Sequence, residues 1–327
     1  MTGRRHGTML ALCVLATLAA PALAQTQKRT PPPPPPAPSA AANPDNGNAD
    51  IAYGAFQRGM FLTALAEASK RAQQNDPAAM TLLGELYAQG LGVPRDDAKA
   101  ANWYKQAAAH GDRDAMFALA MFNLEGRAGP RNPDEAARLL AAAAKLGHAA
   151  AAYDLGLLYL QGQQFPQDFA RAAQLFRQAS DAGNADAQYA LAAMYKEGRG
   201  VPKDLNEAER LMGLASVAGN VDAMVEFAIA QFNGNGVAKN EVAAAKLMLI
   251  AARRGSAIAQ DRMARILMAG RGMPTDATEA VKWHIIAKAG GDSDPDLDAF
   301  AAQQTQQVRD AAEKAAKIWM STLPPRP

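Results

Sequence analysis

Glycine stands at positions 90, 126, 162, 198, 234 and 270, each 36 residues from the last, with no insertion or deletion between copies. A second glycine keeps the same step at 111, 147, 183, 219, 255 and 291. A period of this size means that one supersecondary unit is repeated. Such units bury their apolar faces only by stacking on one another. The 327 residues are therefore expected to form a solenoid rather than two globular domains.

Positions counted from the first glycine define the unit. Plus six carries Asp96, Asn132, Asp168, Asp204, Asn240 or Asp276, residue types that cap a helix by accepting backbone N–H bonds. Plus four is Pro94, Pro130, Pro166, Pro202, Ala238 or Pro274, and proline there separates two helices. In the helix that follows, alanine recurs at plus ten (Ala100 to Ala280) and plus seventeen (Ala107 to Ala287). Plus thirteen holds Trp103, Leu139, Leu175, Leu211, Leu247 or Trp283, so the three columns share one helical face. The second glycine is expected to end this helix in a left-handed turn. The helix before the first glycine has a large residue at minus seven, from Leu83 to Met263. Minus six is small: Gly84, Ala120, Gly156, Ala192, Ala228 or Ala264. That small residue is expected to let two helix backbones approach. The fold class is all-α, an α-solenoid of about seven helix–loop–helix units with a 36-residue period.

The ends differ. Residues 1–24 read as a secretory signal peptide, with Arg4 and Arg5 before the apolar run Met9–Ala20 and small residues at Ala22 and Ala24. The run is too short to span a bilayer comfortably, so no stable membrane span is expected after cleavage. Cys13, the only cysteine, leaves with it. The expected localisation is periplasmic or secreted. The formal charge of +2 comes from 34 basic and 32 acidic residues, and removing Arg4 and Arg5 leaves 32 of each sign. No nucleic-acid footprint is present in that balance. Residues 25–49 form a proline-rich disordered linker, with an unbroken run from Pro31 to Pro36. It is either a stiff spacer or a ligand for a partner groove. Residues 50–75 are expected to form an N-terminal capping hairpin with contacts from Ile51, Phe56, Phe61, Leu62 and Leu65. Residues 293–327 are read as C-terminal capping helices and a tail, with Ala312, Ala315, Ile318 and Trp319 facing inward.

Two segments carry a recognisable signature: Leu82-Leu-Gly-Glu-Leu-Tyr-Ala-Gln-Gly-Leu-Gly-Val-Pro-Arg-Asp, continuing to Ala100-Ala-Asn-Trp-Tyr-Lys-Gln-Ala-Ala-Ala-His-Gly, and Met194-Tyr-Lys-Glu-Gly-Arg-Gly-Val-Pro-Lys-Asp. They resemble the Sel-1-like repeat family, a branch of the tetratricopeptide-like α-solenoids, over six repeats spanning residues 76–292. The second and third copies lose the second loop glycine, and Asn123 and Gln231 replace the usual tyrosine. The resemblance implies a scaffold that binds other proteins. A cysteine-rich exported subgroup has been linked to penicillin binding. This chain lacks paired cysteines, so that activity is not carried over.

Residues able to do chemistry are sparse. His110, His148 and His284 show no i,i+4 spacing, so no metal site and no cofactor are expected. No phosphate loop, dinucleotide fingerprint or G-x-S-x-G elbow stands in a strand–turn–helix context, and no catalytic residue is assigned. Met80, Met116 and Met224 share position minus ten, which suits either interface packing or a methionine copper site.

The candidate partner-binding residues lie on the first helices. Position minus nine holds Thr81, Phe117, Tyr153, Tyr189, Val225 and Asp261, placing three aromatics in a stripe over the central units. Met121 and Leu157 at minus five lie partly on the same side, and Asp154 and Glu226 at minus eight are polar members of the same helices. In tetratricopeptide-like stacks the first helices line the concave surface. The stripe is thus a groove for a protein or peptide partner in the cell envelope, or it is core between units. The acidic pair either orients that peptide or forms a solvated face. The expectation is a non-enzymatic scaffold; the alternative is a cell-envelope enzyme acting on cell-wall material in the groove.

Overall fold

The computed structural model describes residues 51–163 and 165–322. The expected signal peptide, the whole proline-rich linker 25–49 and the tail 323–327 lie outside the described residues. Among the described residues there are sixteen helices and no strand. Helices α1 (Ile51–Gln57) and α2 (Phe61–Ala72) form an opening pair. Six hairpins follow: α3 (Pro77–Gln89) with α4 (Asp97–Ala109), α5 (Arg113–Glu125) with α6 (Pro133–Lys145), and α7 (Ala149–Gln161) with α8 (Phe169–Asp181). Next come α9 (Ala185–Glu197) with α10 (Leu205–Val217), α11 (Val221–Asn233) with α12 (Glu241–Arg253), and α13 (Ala257–Ala269) with α14 (Ala277–Ala289). Helices α15 (Pro295–Gln303) and α16 (Gln306–Ser321) follow the last hairpin. From α1 to α15 each helix packs on the next along the chain, and α16 packs back on α14. The units thus stack into an α-solenoid. No described helix is long and apolar enough to cross a membrane.

The unit is built by backbone chemistry at its two turns. Each first helix ends on its 36-residue glycine at φ between 69° and 75°, a left-handed geometry that an L side chain strains. The plus-six Asp or Asn then caps the second helix in all six units. Its own N–H donates to the carbonyl at minus three, at 2.8–3.1 Å, and so closes the loop. Because that bond uses backbone only, minus three accepts Tyr87, Asn123, Gln231 or Leu267 without loss of the turn. The second glycine, at φ 81–102°, closes the return turn one residue beyond the helix cap.

The alanines at plus ten and plus seventeen are buried in every unit. Plus thirteen is less uniform: Trp103 and Leu247 are half-buried. The large side chain one residue on, at plus fourteen, is buried in every unit: Tyr104, Leu140, Phe176, Met212, Met248 and His284. They change the role of the small residue at minus six. Where it is glycine it receives the plus-fourteen ring of its own hairpin, as Gly84 does Tyr104 and Gly156 does Phe176, and there it is a seat for a ring rather than a point of backbone contact. Met80 and Met224 are buried packing residues, while Met116 is half-buried.

Two terminal expectations need correction. In the opening pair, Phe56 is buried but Ile51 and Leu62 are 53% and 70% exposed. The inward face there is made by Ala52, Ala55, Ala64 and Ala68. In α16 the buried residues are Ala312 and Ala316, with the Trp319 ring edge-on to Trp283 at 5.6 Å. That i, i+4, i+7 line turns Ile318 out to solvent.

Candidate partner-binding site

Phe117 on α5, Tyr153 on α7 and Tyr189 on α9 fall at one register on three successive first helices, and all three are half-buried against the central core. They are neither a free stripe nor closed core. Their surroundings differ. Phe117 stacks on the His148 imidazole, with ring centroids 4.5 Å apart and planes 23° apart. Tyr153 tilts against the buried Phe176 at 5.6 Å. The Tyr189 hydroxyl donates to Glu226 Oε1 at 2.9 Å, reaching from α9 to α11. Lys196, two turns further along α9, donates to the other Glu226 oxygen at 2.9 Å. Met121 and Leu157 are half-buried, Leu157 against the core cluster. Asp154 is half-buried and engaged.

Glu226 is bonded while keeping part of its side chain in solvent. It accepts from a phenol and an ammonium at once, which fixes its carboxylate. Burial first, and then the carboxylate beside it, hold the Tyr189 hydroxyl well above its ordinary pKa, so it remains a donor at any physiological pH. The acidic pair lies two units apart: Glu226 on α11 belongs to a bonded cluster with Tyr189 and Lys196, and Asp154 stands on α7.

His148 was missed as a cap. The first helices start on Asp76, Asp112, His148, Asn184, Asn220 and Ser256, each accepting from the backbone. In the third unit the acceptor is the imidazole Nδ1, which takes the Ala151 N–H at 3.0 Å. Desolvation, and then Arg113, pull the His148 pKa down to about 4, so the ring is neutral and Nδ1 keeps its lone pair. The signal was available: His148 occupies a column of Asx and Ser residues one after the second glycine. His110 caps the end of α4, and His284 is buried with Nε2 2.8 Å from Asp298. Among the described residues no group of three or more His, Cys, Asp or Glu is placed to hold a metal ion.

This fold and this face define a class: a stack of helical hairpins that offers side chains along a surface. Six successive matches to the Sel1 repeat, at residues 77–112, 113–148, 149–184, 185–220, 221–256 and 257–292, show that the chain belongs to the Sel1 repeat family. Proteins of this family are generally protein–protein interaction scaffolds, and the fold is typically non-enzymatic. A Sel1 repeat protein from Oxalobacter formigenes is 27% identical, with a TM-score of 0.64 over 73% of this chain and 97% of its own. A protective antigen of uropathogenic Escherichia coli with an SLR fold is 24% identical, with a TM-score of 0.52 over 80% of this chain and 64% of its own. No curated protein sequence matches the chain significantly.

Proposed function

We propose that the chain is an exported scaffold that binds a protein or peptide partner of the cell envelope on the concave face lined by its first helices. One observation carries the choice of face. Position minus nine is occupied by Thr81, Val225 and Asp261 in the outer units, so stacking does not require an aromatic there. The three central units nevertheless place Phe117, Tyr153 and Tyr189 side by side with part of each ring open. Half-exposed aromatics beside a fixed carboxylate and ammonium are a mixed surface of the kind that anchors a partner. A rigid array also lowers the ordering cost of binding an extended segment. Export is supported by the basic start, short apolar run and small residues of 1–24.

The test is photo-crosslinking from position 121, on the same first-helix face, in cells, with mass spectrometry of the captured protein and N-terminal sequencing of the mature chain. The reading expects an envelope partner, lost on replacing Phe117, Tyr153 and Tyr189 with alanine, and a mature start at Gln25. Capture unchanged in the triple variant, or a chain beginning at Met1, overturns it.

A further inference from the structure

Comparison of the units with one another locates a second surface, away from the aromatic stripe. Where each loop folds over the junction of a second helix and the next first helix, two side chains cover the seam. One is at minus three and the other at plus three. In the third unit these are Tyr159 and Phe165, stacked at 4.9 Å with planes 19° apart. The fourth has Tyr195 and Val201, both packed on the core cluster. The second unit alone lacks both: minus three is Asn123, whose amide folds back onto the Leu119 carbonyl at 2.9 Å, and plus three is Gly129.

The result is a groove of about 520 Å³ between α4, α5 and the loop 126–132. Leu119 and Phe122 supply its apolar lining, and Lys105 and Arg131 its positive charge. Neither cation has a carboxylate within 4 Å among the described residues; the Arg131 Nε donates instead to the Leu124 carbonyl at 2.6 Å. Gly129 is not there for backbone reasons. Its φ is not left-handed, and a Cβ built on it meets nothing within 4 Å. The missing side chains are therefore not demanded by the turn.

We propose that this seam is a docking groove for an acidic peptide segment that inserts one aromatic side chain. The ring takes the space that Tyr159 and Phe165 fill one unit later. Flanking carboxylates meet the exposed Lys105 and Arg131 at the rim of an apolar floor. The chain's own residues 25–49 contain no aromatic, so they are not the occupant.

The test is fluorescence anisotropy of the mature full chain with a fluorescein-labelled Glu-Glu-Phe-Glu-Glu peptide and its Glu-Glu-Ala-Glu-Glu counterpart. The Phe peptide is expected to bind at least about tenfold more tightly than the Ala peptide. The filled variant N123Y/G129F, which copies the third unit, should lose about tenfold or more with melting unchanged or raised. The charge variant K105E/R131E should lose as much, and it keeps the test decisive if the filled variant misfolds. The stripe variant F117A/Y153A/Y189A should bind the peptide as the parent does, which separates this site from the first-helix face. Equal affinity for the two peptides, absence of binding at millimolar peptide, or full affinity in the charge variant overturns the proposal. So does a dimer in sedimentation that the filled variant dissociates, because the occupant is then a second copy.

Discussion

Gly156 on α7 lies under the ring of Phe176 on α8, so close that a Cβ on the glycine would stand 2.6 Å from Phe176 Cε1. The same pair recurs two units earlier, where a Cβ on Gly84 would stand 2.5 Å from Tyr104 Cε1. The other four units put alanine at this seat and Leu140, Met212, Met248 or His284 opposite it. Glycine and an aromatic therefore occur together, twenty residues apart, inside one sequence. Tyr104 is further satisfied by donating its hydroxyl to Glu85 at 2.8 Å.

The pairing predicts a sign. Glycine to alanine inside a helix gains roughly 0.5–1 kcal/mol from backbone entropy. Overpacking a fixed ring costs roughly 1–3 kcal/mol, and here it wins. Gly156→Ala should destabilise by about 1–2 kcal/mol in urea melts. In the Phe176→Leu background the same change should be neutral or stabilising, for a coupling of at least about 1 kcal/mol. Equal effects in both backgrounds would show that the ring does not need the glycine.

This pair also marks the limit of what the sequence discloses. The 36-residue spacing specifies the hairpins, the caps at plus six and the buried alanines, because each is local and recurs six times. Plus thirteen and plus fourteen flank the same alanine line on the second helix. Which of them enters the neighbouring helix depends on rotation about the helix axis, a tertiary quantity. The half-burial of Phe117, Tyr153 and Tyr189 is hidden for the same reason, since groups from neighbouring segments cover part of each: the His148 ring, the Phe176 ring and the Glu226 carboxylate. The bond from Tyr189 to Glu226 joins residues 37 apart, and only stacking makes them neighbours.

His148 gives stability a pH dependence with a definite direction. Its pKa falls from an ordinary value of 6.5 to about 4 on folding, so the unfolded chain binds the proton more readily. The stabilisation is fully present above pH 6.5 and is lost as pH falls toward 4. The gap of 2.5 corresponds to roughly 3 kcal/mol at most, with roughly 2 kcal/mol gone by pH 5. Burial raises the pKa of Asp112 and Asp114, which works in the opposite sense. The readout is therefore the difference between the parent and His148→Asn, which keeps both carboxylates and restores the cap type of Asn184 and Asn220. Urea melts at pH 7.5 and 5 should show the variant losing less on acidification. Parallel losses would remove His148 from the account.

Tyr189 separates stability from capture. Its hydroxyl bond to Glu226 is half-exposed, so Tyr189→Phe should cost no more than about 1 kcal/mol. It should still weaken partner capture, because Glu226 is then held by Lys196 alone. The raised pKa adds a spectroscopic check. The stabilisation from the protonated phenol is present below its unfolded value near 10 and lost as pH rises through the higher folded one. An absorbance titration should therefore show one fewer late-ionising tyrosine in the variant. An unchanged titration would mean that the 2.9 Å bond is not kept in solution.

Arg127 makes three contacts of different kinds, two of which tie the second unit to the first. Its Nη2 stands 2.6 Å from Asp97 Oδ1 and donates to the Ala88 carbonyl at 3.0 Å. Its guanidinium carbon lies 4.1 Å from the Phe122 ring centroid. Arg271 makes the equivalent ion pair with Glu241 at 2.5 Å, also thirty residues back, but with its side chain 54% exposed against 25% for Arg127. Solvent screening makes the exposed pair worth little, whereas the planar group of Arg127 serves carboxylate, carbonyl and ring together. Arg127→Ala should destabilise by about 1–2 kcal/mol, and Arg127→Lys should recover less than half, because an ammonium cannot fill all three roles. Arg271→Ala should stay within about 0.5 kcal/mol of the parent. Asp97 is held below its ordinary pKa by hydrogen bonds from Arg95 and then Arg127, so its contribution is present above its unfolded pKa near 4 and is lost as pH falls through the lower folded value. Urea melts of the three variants at neutral pH, repeated at high salt, decide it: equal losses at positions 127 and 271 would mean that charge alone, and not the threefold contact, holds the units together.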